Sequence, residues 1–107
     1  PIPMPHLRSA KFDDHFILRD GAAGLFLAAS KFPKVRETRA PLIAELRSVA
    51  AQIDSKYQFL LAAPDADPDG NPALVKFSRK TASQYVASEK DGKPTKWMLT
   101  WDGAKWQ

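Results

Sequence analysis

Cysteine is absent from the sequence, and histidine nearly so, with only His6 and His15. The first absence removes disulfides, thiolate nucleophiles and every cysteine-based zinc or iron–sulfur site. The two histidines, even beside Asp13 and Asp14, lack the spacing of a metal-binding pair. Long apolar runs are missing as well: nothing approaches the roughly 20 residues that span a membrane, and no signal-like stretch follows Pro1. A chain free of disulfides that opens on Pro rather than Met reads as a fragment of a longer cytoplasmic protein.

Catalytic patterns are equally scarce. No Gly-x-Ser-x-Gly elbow occurs, and Asp20-Gly-Ala-Ala-Gly24 lacks the Gly-Lys-Ser/Thr of a phosphate-binding loop. Asp65-x-Asp67-x-Asp69-Gly70 begins like a calcium loop, but the twelfth position, where a bidentate glutamate belongs, is Lys76, and Pro68 and Pro72 interrupt it. The expectation is a non-catalytic chain that holds no metal.

What remains is enough to fold. The 107 residues, 44% hydrophobic and 26% charged, fit one ordinary domain or two small units sharing a core. The net charge of +4 is unevenly spread. Basic residues gather from Lys31 to Arg47 and from Lys76 to Lys105, while Asp65, Asp67 and Asp69 form an acidic loop between. Two basic regions flanking an acidic loop suit a polyanionic partner.

Hydrophobic patterning divides the chain. Residues 1–11 are proline-rich and read as a linker. Phe16–Arg19 and Leu25–Ala29 read as strands around a turn at 20–24. From Pro41, Leu42, Ile43, Leu46, Val49, Ala50 and Ile53 recur at helical spacing, with Thr38 as a candidate cap. Lys56–Ala63 reads as a second short helix, ended by Pro64. Leu74–Phe77, Gln84–Ser88 and Lys96–Trp101 are further strands, with Trp97, Leu99 and Trp101 expected on one face. The expected fold is α+β: two small antiparallel β units joined by one or two helices, with a first unit and its helix at 12–63, an acidic loop at 64–73 and a second unit at 74–107. A weak internal echo, Phe26-Leu27-Ala28 against Tyr85-Val86-Ala87, links the two.

Basic residues are interleaved with aromatics in both units. Lys31, Phe32, Lys34, Arg36 and Arg39 follow the first hairpin, while Arg79, Lys80, Tyr85, Lys93 and Trp97 belong to the second unit. Single-stranded nucleic acid is gripped by such mixtures, cations following the phosphates while rings stack on bases for roughly 1–3 kcal/mol each. Of the 11 aromatics, most are needed for the core, Phe16 and Trp101 foremost.

The stretch FILRDGAAGLFLAASKFPKVRET resembles the zinc-ribbon repeat of bacterial type IA DNA topoisomerases. Leu18, Arg19, Gly21, Gly24, Phe26, Ser30, Phe32, Pro33 and Thr38 keep that repeat's pattern. Its knuckle cysteines are replaced by Ala29 and Val35, and its upstream pair is missing near Ser9–Phe12. RETRAPLIAEL, DPDGN, VKFSRKT, QYVASEKDGK and DGAKW are similar to the C-terminal tail of the gammaproteobacterial members, so the resemblance covers roughly residues 12–107. It implies ribbon-like units without metal, lacking the catalytic tyrosine of the enzyme core. It also implies single-stranded DNA held during relaxation of negatively supercoiled DNA, with magnesium serving the whole enzyme, in the nucleoid. Carried over position by position, the matching residues are Arg19, Phe26 and Phe32. The remaining candidates come from charge and aromatic spacing. The expected state is a monomer, and the competing reading is a protein-docking module, for example to RNA polymerase.

Overall fold

A computed structural model describes residues 1–107. The chain divides into two compact units, Pro1–Ala40 and Pro41–Gln107.

The first unit is a four-stranded antiparallel sheet in the order β1 (Ile2–Arg8), β2 (His15–Gly21), β3 (Gly24–Ala29), β4 (Thr38–Arg39). Gly24, with φ of 84°, supplies the left-handed residue that closes the β2–β3 turn. Alternation puts Met4, Phe16, Leu18, Leu25, Leu27 and Ala29 on one buried face. The Arg39 guanidinium lies over the Phe16 ring at 5.0 Å on that same face.

The proline-rich start is therefore not a linker but strand β1. Pro3 and Pro5 are tolerated because β1 is an edge strand. Ile2 and Met4 alternate inward, pairing with Leu18 and Phe16, so the hydrophobic period outweighs the proline content.

The second unit begins with a short helix, α1 (Ile43–Ser48), and two 3-10 turns, Ala50–Gln52 and Ser55–Ala62. A three-stranded antiparallel sheet follows: β5 (Ala73–Ser78), β6 (Ser83–Lys90) and β7 (Lys93–Leu99). Thr38 does not cap α1; it lies in β4. Instead Glu45 reaches back to accept the Leu42 backbone N–H at 2.8 Å. The periodic run does not stay α-helical, because the amides of Val49, Gln52 and Ile53 donate three residues back, to Leu46, Val49 and Ala50. The second turn is capped by Asp54, which accepts from the Lys56 N–H at 3.0 Å.

Unlike the expected 12–63 grouping, α1 belongs to the second unit. The Val75 N–H donates to the Pro41 carbonyl at 2.9 Å and Leu42 bridges Leu74, so the helix entrance is stitched to β5. Ile43, Leu46, Ile53, Leu60 and Ala63 then share a core with Ala73, Val75 and Val86. Arg47 is consumed here, donating to the carbonyls of Ala63 (2.6 Å) and Leu61 (3.4 Å). Trp101 leaves the Trp97–Leu99 strand. It bridges Trp106, and both rings pack on Phe59 with centroids 5.5 and 5.9 Å away, while Trp106 Nε1 donates to the Phe59 carbonyl at 2.9 Å. Trp106→Ala is expected to destabilise this unit by about 2–4 kcal/mol, read as a lowered urea midpoint. No helix is long and apolar enough to cross a membrane.

Candidate nucleic-acid interface

In the β2–β3 hairpin, residues of odd register on β2 turn away from the core face. Arg19 there stands directly opposite Phe26, and Ile17 opposite Ala28. A Cβ at Gly21 would meet Phe26 Cε1 at 3.4 Å, so the ring lies against the turn. Phe32, in the segment after β3, packs edge-on against Phe26 with centroids 6.5 Å apart and planes at 71°. Arg19, Phe26 and Phe32 are thus half-buried on one side of the hairpin, the two rings in edge contact and Arg19 paired across the strands with Phe26.

Its electrostatics are unbalanced. The Nε of Arg19 is sealed from solvent and meets no acceptor, a costly state for a charged donor. Arg19 as a whole is half-buried, and the touching rings of Phe26 and Phe32 offer an apolar surface beside its strand. Lys31 and Lys34 flank Phe32 and are exposed. Arg36 is exposed along a shallow groove of about 330 Å³ shared with Lys11, Phe12, Glu37 and Thr38. Phe12, with half its surface open, escaped the sequence reading because nothing in its spacing marks it. Arg39 does not join the cluster: its pairing with Leu27 puts it on the core face.

The second unit repeats the layout with different charges. Lys76 opposes Tyr85 as Arg19 opposes Phe26. Here, however, the ammonium is bonded to Glu89 at 2.9 Å. Ala87 pairs with Met98, so Met98, 52% exposed, shares the Tyr85 face. Alternation sends Trp97 to the opposite face, so Tyr85 and Trp97 cannot form one platform. Trp97 instead lines a groove of about 690 Å³ with Lys90, Lys96, Asp67 and Asn71. Arg79 and Lys80 lie exposed in the β5–β6 turn, and Lys93 opens β7.

The acidic loop is organised around one carboxylate. Asp67, 7% exposed, accepts from Ser88 Oγ (2.6 Å), the Asn71 amide (2.9 Å) and the backbone N–H groups of Asp69 (2.9 Å) and Asn71 (3.0 Å). The Ser88 hydroxyl above all, then the Asn71 donors, hold its pKa down from 3.8 to about 2. A carboxyl that ionises more readily folded than unfolded stabilises the fold fully above about pH 4, and that contribution is lost as pH falls towards 2. Asp14 is built alike. It accepts from the Ser30 hydroxyl and from the N–H groups of His15 (2.8 Å) and Lys31 (3.2 Å), which lower its pKa, Ser30 most.

The sequence matches the family described as topoisomerase I zinc-ribbon-like in two stretches, residues 3–39 and 70–107, one in each unit. The chain belongs to that family. The two matches give the Phe26/Tyr85 echo its reason: one ribbon-like unit occurs twice. Among curated proteins, the chain is 58% identical to DNA topoisomerase 1 of Pseudomonas aeruginosa, 54% to that of Escherichia coli and 53% to that of Vibrio cholerae. Each match covers 99% of this chain, which spans 12% of the length of each relative. Zinc, implied by the family's description, does not fit these residues. There is no cysteine, and nowhere do three His, Cys, Asp or Glu side chains gather where they could hold an ion.

Proposed function

We propose that this chain is a non-catalytic C-terminal domain of a bacterial type IA DNA topoisomerase, holding single-stranded DNA while the rest of the enzyme, with its magnesium, relaxes negative supercoils in the nucleoid. The carrying observation is the Arg19–Phe26–Phe32 group, which sets a half-buried arginine, its Nε without an acceptor, across the strands from one of two touching rings on the face opposite the core. A phosphate oxygen matches the first and an unpaired base the second. The exposed Lys31 and Lys34 extend a basic path, and Lys90, Lys96 and Trp97 offer a second grip in the other unit. Family membership supports DNA as the partner.

The test is titration of a labelled single-stranded oligonucleotide by fluorescence anisotropy at several salt concentrations, with duplex of equal length alongside. Expected are a preference for the single strand and an affinity that falls with salt, the log–log slope being about −0.7 per phosphate contacted. All three tryptophans, Trp97, Trp101 and Trp106, lie in the second unit, so quenching of their emission reports that unit alone. No binding even at low salt overturns the proposal and moves the basic surface to a protein partner such as RNA polymerase.

A further inference from the structure

In a zinc ribbon a metal ties the loop before one strand to the loop after the next, and that bond supplies much of the folding free energy. Both units here make a comparable tie, from the segment before one strand to the far end of the next, with other atoms. In the first, Asp14 stands just before β2 and bonds the Ser30 hydroxyl and the Lys31 N–H, just after β3. In the second, Asp67 stands before β5 and bonds the Ser88 hydroxyl on β6. Ser88 in turn shares a hydrogen bond with Thr95 Oγ1, which accepts from the Trp97 N–H at 3.1 Å. Extending the echo by one residue sets Ser88 level with Ala29, where the ribbon pattern has its first knuckle cysteine.

We propose that Asp14 and Asp67 take the metal's place, each carboxylate tying its ribbon closed and positioning the segment that carries the candidate DNA-contacting side chains: Lys31, Phe32 and Lys34 in the first unit, Lys96 and Trp97 in the second. The positioning half rests on the DNA reading above; the tie does not. Hydroxyl and amide donors need neither a metal supply nor reduced thiols, so the closure is indifferent to chelators and to oxidants of sulfur. The charged groups facing these carboxylates are few. His15 Nδ1 lies 3.9 Å from Asp14, with Lys31 beside it, while Asp69, Lys90 and Lys96 share the groove at Asp67.

The experiment uses the isotopically labelled chain with Asp14→Asn, Asp67→Asn and the milder Ser30→Ala and Ser88→Ala. In the unsubstituted chain the amide signals of His15 and Lys31 should titrate together with Asp14, and those of Asp69 and Asn71 with Asp67, all at midpoints below 3.8. Ser88→Ala should move the Asp67 midpoint up towards that value, and Ser30→Ala should do the same for Asp14. Asp67→Asn should lower the melting temperature by roughly 10 °C and flatten the acid limb, while EDTA should leave every melting curve unchanged. Melting lowered by EDTA, midpoints unmoved by the serine variants, or Asp→Asn variants melting like the parent would overturn the tie. Affinity for the oligonucleotide should fall roughly fivefold in Asp14→Asn at temperatures where it remains folded, about 1 kcal/mol of misplacement. Unchanged affinity overturns the positioning half. If the unsubstituted chain binds no oligonucleotide, the DNA reading fails together with that half, while the tie is still decided by midpoints and melting.

Discussion

Replacing Phe26 by Leu weakens binding of a single-stranded oligonucleotide by roughly 5- to 150-fold, with its salt dependence intact. That range is the 1–3 kcal/mol of one lost stacking contact. Leucine keeps an apolar side chain against Gly21 and Phe32, so the loss is confined to the ring. Arg19→Ala also weakens binding but behaves differently, lowering the magnitude of the salt slope by about 0.7, the signature of one phosphate contact. It also removes an unsatisfied donor, so its thermal stability should not fall as the affinity does. Arg39→Ala is the control: its guanidinium covers Phe16 on the core face, so stability drops while affinity, measured on the folded protein, holds. Anisotropy titrations of the three variants, each with a melting curve, separate the cases. Equal effects of Arg19→Ala and Arg39→Ala on affinity would mean that charge alone, not the assembled cluster, does the binding.

Leu27→Ala unfolds the first unit at 25 °C while leaving the second folded. Leu27 is fully buried on β3, paired with Leu18 on one side and Arg39 on the other. Truncating such a leucine costs about 2–5 kcal/mol. Pro1–Ala40 forms a unit of 40 residues, a size at which disulfides or metals are usually required. With neither cysteine nor a metal-holding cluster, its margin is of the same order as the truncation cost. The readout is loss of amide exchange protection across β1–β4, with tryptophan emission unchanged because every indole lies beyond Pro41. A parallel loss in the second unit would mean that the two fold as one.

Much of this was legible in the residues. Strands β2, β3, β5 and β6 followed from short apolar runs bounded by glycine-bearing or polar turns, a local signal that a two-strand hairpin obeys. The three-position echo of Phe26 and Tyr85 was too short to establish a repeat by itself; the family match to residues 3–39 and 70–107, one stretch in each unit, supplies it. The absence of cysteine excluded the thiolate ligands of a zinc ribbon, since no other side chain supplies a thiolate.

Three features depended on contacts between distant residues and could not be read locally. Residues 2–8 carry the composition of a linker and become a strand because β2 offers an edge where Met4 can bury against Phe16. Side-chain direction separated Arg39 from Arg19, and Trp97 from Tyr85, because a strand sends alternate residues to opposite faces and only pairing register says which face is which. The role of Asp14 and Asp67 was hidden for the same reason. An aspartate in a polar loop looks solvated until folding brings Ser30 or Ser88 to it from 16 or 21 residues away. Composition settled which chemistry this chain lacks, because absent atoms cannot be supplied by folding. Which of its charges are free to meet a partner was settled by packing, because pairing and burial are properties of the assembled sheets.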